Sequence, residues 1–171
     1  MMPDPLHPAV VHLPIALAVL VPVFAFLAIL AIHKGFLPKR SWAAVVLLQG
    51  MLVASAWLAV ETGESEEDAV ERVVAERNIK THEEAAERFL AITGLGLLVI
   101  GMGLLPRRAG AVGRFGGAVA ALAILAAGVA VGRSGGELVY EHGAANAYAR
   151  LEGLAVPGRA DRHESHDEDD D

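Results

Sequence analysis

Four uncharged apolar runs constrain this chain more than any other feature: Leu13 to Ile32, Trp42 to Val60, Phe89 to Leu105 and Phe115 to Gly132, with 20, 19, 17 and 18 residues. An α-helix rises ~1.5 Å per residue, so about 17–25 such residues cross a hydrocarbon core ~30 Å thick. All four runs are long enough. Helices of a soluble bundle carry a polar stripe on one side, and these runs carry none. The residues therefore predict an all-α fold, a four-transmembrane-helix bundle, with spans over about 9–32, 41–60, 86–105 and 112–133. A membrane domain over 1–152 accounts for most of the 171 residues. The remaining 153–171 are charge-rich, of low complexity, and read as an acidic disordered tail.

Nothing basic precedes the first run, its apolar core is too long for a secretory leader, and no small-residue cleavage site follows before Lys34. It reads as a retained span. The chain has no cysteine, which excludes disulfides, iron–sulfur clusters and thiolate metal sites.

Charge orients the bundle. The loop His33–Arg40 holds Lys34, Lys39 and Arg40, and the loop Pro106–Arg114 holds Arg107, Arg108 and Arg114, neither with an acid. Short loops dense in Lys and Arg face the cytoplasm. Asp4, ten carboxylates between Glu61 and Arg88 and ten after Gly132 make up all 21 acids. Both termini and the long second loop are therefore expected outside the cytoplasm, as in a multi-pass protein of a bacterial plasma membrane. Trp42 and Trp57 suit aromatic belts at the inner and outer boundaries.

Local patterns refine the spans. Pro8 suits the first turn of helix one, and Pro22 is expected to kink it. Gln49, at mid-depth of helix two, suits an interhelical hydrogen bond. Ala69, Val70, Val73 and Val74 recur at helical spacing, which predicts a short amphipathic helix lying on the membrane in the outer second loop, with Glu64, Glu67 and Glu71 on its other face. Thr81 and Glu84 form a capping-box pattern, so helix three is expected to start at His82. Gly128, Gly132 and Gly135 share a face of helix four, where small residues let a neighbouring backbone or a flat cofactor approach.

Six of the seven histidines fall on the expected outer side. His12, His82 and His142 belong to three different membrane helices at similar depth, with His7 slightly further out. Imidazoles converging from several bundle helices are a common way to hold haem iron or a transition metal.

The segment His7-Pro8-Ala9-Val10-Val11-His12-Leu13-Pro14-Ile15 resembles the HPxxVHFPI opening of a bacterial family of predicted four-helix membrane proteins of unknown function. Gly135-Gly136-Glu137-Leu138-Val139-Tyr140-Glu141-His142-Gly143 resembles that family's GGxLVYxHG close, and His82-Glu83-Glu84-Ala85-Ala86 the start of its third helix. Leu13 stands where the family often has Phe, and many members lack the acidic second loop. Some members are fused to Rieske-type iron–sulfur domains, so the resemblance implies a place near respiratory electron transfer. It carries the motif histidines over to His7, His12, His82 and His142.

Three functions follow as expectations. The first is an electron-transfer or redox-complex subunit binding b-type haem, with two of His12, His82 and His142 as axial ligands and the porphyrin on the Gly128/Gly132/Gly135 face. The second is a non-haem site for zinc, iron or copper in which one or more of His7, His12, His82 and His142 join Glu67, Glu71 or Glu83. The third is a cofactor-free structural or assembly subunit that docks a basic soluble partner on its acidic face. Partners are then the lipid bilayer, redox or respiratory proteins on the outer face and a second copy of the chain, with no nucleic acid. An enzyme in its own right is least supported: no phosphate loop or Ser/His/Asp order is present, and His82-Glu83 lacks a second histidine at Ala86.

Overall fold

The computed structural model describes residues 6–147; the acidic tail lies outside the described residues. Every regular element among the described residues is a helix, with no strand among them. A four-residue helix α1 (His7–Val10) leads into α2 (His12–His33), followed by α3 (Ala43–Val70), α4 (Glu76–Gly101) and α5 (Arg107–Tyr140). Single 3₁₀ turns at Lys39–Trp42 and Met102–Leu104 lead into α3 and out of α4. Four of these helical stretches are long and apolar enough to cross a membrane. Helices α2, α3, α4 and α5 pack as a ring, each against two neighbours, and α1 folds back onto α3.

The bundle is inside-out relative to a soluble protein. Large side chains such as Leu27, Leu95, Leu98 and Phe115 point outward, whereas Ala18, Ala25, Ala56, Ala118 and Ala121 lie in the core with Leu17, Val21, Leu52 and Ile124. Lipid tails are as apolar as leucine, so burial of leucine does not hold such helices together. Close packing of small residues and buried hydrogen bonds do. Gln49 is fully buried and donates from Nε2 to the Thr93 carbonyl at 2.8 Å, joining α3 to α4 as its mid-depth position predicts.

The end near the two short basic loops is the most tightly closed. Trp42 is fully buried there and faces into the bundle, not outward as an aromatic belt would, and its indole N–H donates to the Ile100 carbonyl at 2.8 Å. Its ring occupies the space left by Gly103 and Gly117. A Cβ at Gly113 would come within 2.5 Å of the Met102 carbonyl carbon, so α5 and the end of α4 meet backbone to backbone. Arg114 is buried and donates to the Gly103 carbonyl at 2.8 Å. Trp57, by contrast, is exposed on the outside of the bundle.

At the opposite end two details differ from the sequence pattern. The valine-rich segment forms no separate helix on a membrane surface: α3 runs on unbroken to Val70 and the chain then turns. Val70, Val73 and Val74 pack against Ile79, Leu138 and Ala144 in a second small core, which satisfies the apolar face within the protein. Helix α4 likewise begins at Glu76 rather than His82, because Ile79 reaches that core. Thr81 is therefore inside the helix, where its hydroxyl donates to the Arg77 carbonyl at 2.9 Å instead of capping.

The packing at Gly103 yields a test. Gly103→Ala should drive a methyl into the Trp42 ring and lower stability by about 1–3 kcal/mol, the usual cost of overpacking a core. Gly94→Ala, where an added Cβ meets nothing within 4 Å, should be neutral or stabilising. Thermal unfolding of the detergent-solubilised variants measures both.

Candidate functional site

The end of the bundle opposite Trp42 brings together His7 and His82. Their ring centroids lie 6.5 Å apart, with the planes near perpendicular at 83°. Both residues are half-buried.

Each imidazole rests in a cradle of the same design on a neighbouring helix. For His7 the cradle is one face of α3, with Ala59, Thr62, Gly63 and Glu66 at i, i+3, i+4 and i+7. His7 Nδ1 is 2.9 Å from the Ala59 carbonyl and 3.3 Å from Thr62 Oγ1. Gly63 leaves room for the ring: a Cβ there would come within 3.2 Å of His7 Cε1. For His82 the cradle is one face of α5, with Val131, Ser134 and Gly135 at i, i+3 and i+4. His82 Nδ1 is 2.9 Å from Ser134 Oγ, and a Cβ at Gly135 would come within 3.1 Å of His82 Cε1. A hydroxyl residue followed by glycine, Thr62-Gly63 and Ser134-Gly135, thus serves both rings.

The partners decide which ring nitrogen carries the proton. A carbonyl oxygen only accepts, so His7 Nδ1 must donate to Ala59. Thr62 Oγ1 gives its hydrogen to the Leu58 and Ala59 carbonyls, leaving its lone pairs for the same imidazole. The Ser134 hydroxyl donates to the Val131 carbonyl at 3.0 Å, so it accepts from His82 Nδ1. In its neutral form each imidazole is held as the Nδ1–H tautomer, which puts the lone pair on Nε2. That is the arrangement of metal-bound histidines, whose non-ligating N–H is held by an acceptor.

Glu66 delivers His7 to this place. Its Oε1 accepts from the backbone N–H groups of Leu6 at 2.6 Å and His7 at 2.9 Å. These are two of the amides that open the short helix α1, and a carboxylate there also suits the helix dipole. The sequence pattern did not single out Thr62, Glu66 or Ser134; the signal available was the matched hydroxyl–glycine pairs.

The other expected site residues lie elsewhere. His12 is exposed on the outside of α2. Five helical residues turn the chain by about 140° beyond a full turn, so once His7 faces the bundle His12 faces away. His142 is exposed beyond the end of α5, where Gly143 at φ +74° turns the chain. Glu71 is exposed, Glu67 and Glu83 are half-buried, and no three His, Asp or Glu side chains converge as a metal-binding group among the described residues.

The Gly128/Gly132/Gly135 face is partly filled by the bundle. Gly128 packs on Phe89 and Ala18, and Gly135 packs on His82 itself; only Gly132 faces open space. Gly128 and Gly135 thus serve packing within the bundle.

Comparison with known proteins adds one match. The family model described as "Predicted membrane protein (DUF2231)" matches residues 3–148, a span that takes in all of the described residues. No curated protein and no solved structure matches the chain.

The clamp on His7 is testable. Glu66→Ala should speed amide hydrogen exchange at Leu6 and His7 by about ten- to a hundredfold, since a hydrogen bond to a charged group contributes ~1.5–3 kcal/mol. Glu66→Gln keeps an acceptor oxygen and should retain most of the protection.

Proposed function

Taking as premise that the chain belongs to the DUF2231 family of predicted membrane proteins, we propose that it binds a transition-metal ion through His7 and His82. The observation that carries this reading is the pair of cradled imidazoles, each with Nδ1–H held by the protein and the Nε2 lone pair left for a ligand. A histidine that serves packing alone needs no such matched pair of hydroxyl–glycine seats. Neutral imidazole suits zinc, copper, iron and nickel. With the basic loops in the cytoplasm, the site lies at the outer face of the membrane, beside the acidic extension of α3 and α4.

The metal reading replaces the haem reading as the better supported one. A haem needs a flat slot between its ligands, and the glycine face that would supply it is filled by Phe89, Ala18 and His82. Expression with ample haem is accordingly expected to give protein without a Soret band. Elemental analysis of the purified chain, after metal loading and removal of excess, should find about one transition-metal ion per chain. His7→Gln and His82→Gln should each abolish retention, while His12→Gln and His142→Gln should leave it unchanged. Equal loss from all four variants, or retention by all four, would overturn the proposal.

A further inference from the structure

We infer that the basic end of the bundle is a binding surface for an anionic phospholipid, with the head-group phosphate seated on the guanidinium of Arg114. This surface lies opposite His7 and His82 and is independent of them.

A buried cation whose protein partner is neutral carries the inference. Arg114 is only 8% exposed, and among the described residues its hydrogen-bond partner is the Gly103 carbonyl, 2.8 Å from Nη1. A buried charge is costly unless it is paired, and arginine carries five N–H donors and does not lose its proton. Neither short loop at this end contains an acid. The ion pairs of the described residues, Lys80–Glu76 and Arg88–Glu84, both lie in the opposite half of α4. The charge that balances Arg114 therefore comes from outside the protein. The way to it is open: Gln49 Oε1 is the one fully buried side-chain polar atom without a partner among the described residues, so the guanidinium nitrogens that Gly103 does not engage reach the surface.

The packing brings this charge toward the head-group level. Arg114 lies two turns into α5, yet its Nη1 lies back beside Gly110, where an added Cβ would come within 3.2 Å of it. Helical side chains lean toward the helix start, and long cationic ones near a span's end reach out of the hydrocarbon in this way. Further cations gather at the same place. Arg107 and Arg108 open α5 and are exposed. Lys39 and Arg40 are exposed on the 3₁₀ turn that ends at Trp42, whose ring fills the space left by Gly103. Both basic loops thus meet at Gly103, the residue whose carbonyl Arg114 holds.

The neighbours of these cations suit a lipid rather than a free anion. Leu104 and Leu105 follow Gly103, Phe115 follows Arg114, and all three side chains are exposed. A lipid whose phosphate meets Arg114 can lay its acyl chains along them, and inorganic phosphate gains nothing there. The guanidinium fork matches two phosphate oxygens at once, and basic pockets between membrane helices recur as sites for anionic head groups.

The test uses the full chain, delipidated in detergent and titrated with phosphatidylglycerol or with phosphatidylcholine of the same acyl chains. Native mass spectrometry reads the bound lipid, and thermal unfolding reads its effect on Tm. Phosphatidylglycerol should be retained at least about tenfold more tightly and should raise Tm more. Arg107→Gln and Arg108→Gln should each weaken its binding about fivefold, with Tm unchanged in lipid-free detergent. Arg114→Gln should abolish the preference, and Arg114→Lys, which keeps the charge without the fork, should recover part of it. Arg72→Gln and Arg77→Gln, at the opposite end, should leave it intact. Because Arg114 also bonds Gly103, the two exposed arginines keep the test decisive even where Arg114→Gln does not fold. Equal retention of the two lipids, or equal losses from variants at both ends, would overturn the proposal. Inorganic phosphate that raises Tm as much as phosphatidylglycerol, or displaces it at equal concentration, would overturn the lipid assignment and leave a plain anion site.

Discussion

Helices in hydrocarbon gain little from burying leucine against leucine, since the lipid offers the same surroundings. This bundle is held instead where backbones come close enough for directional contacts, and that closeness depends on glycine. Gly103 and Gly117 admit the indole of Trp42, whose N–H reaches the Ile100 carbonyl, and Gly113 lets α5 meet the end of α4. Arg114 then closes onto the carbonyl of Gly103. With this end fixed, and with Gln49 bonded to the Thr93 carbonyl at mid-depth, the rotational phase of each helix is set for its whole length.

The histidine end inherits that phase. His82, Phe89, Thr93, Gly96 and Ile100 lie along one inward stripe of α4, so the packing that buries Ile100 at one end turns His82 toward α5 at the other. Ser134 and Gly135 receive it there. His7 arrives differently, through a short helix folded back on α3 and capped by Glu66. The two rings thus meet because one is set by the bundle and the other by a clamp. The clamp depends on α3 extending past its apolar run to Val70, which the small core around Ile79 and Leu138 stabilises.

Much of the bundle was legible in the chain because hydrocarbon imposes a length on every span and leaves no polar stripe. The same reasoning failed at the two places where the protein supplies its own apolar surroundings. Val70, Val73 and Val74 read as a face for the lipid surface, yet they find Ile79 and Leu138. Trp42 reads as an interfacial anchor, yet glycine makes room for it inside. Depth alone grouped His12, His82 and His142. Helical phase separates them, turning His12 outward, and the end of α5 leaves His142 beyond the helix.

The sequence by itself determined that this chain is a bundle of four apolar helices with its histidines mostly at one end, because run length and charge are one-dimensional properties. Only the tertiary structure decided which histidines meet. That choice depends on the rotation of α4 against α5, on the folding back of α1, and on Thr62, Glu66 and Ser134. These partners lie about 50 to 60 residues from the histidines they hold, and no local pattern reaches that far.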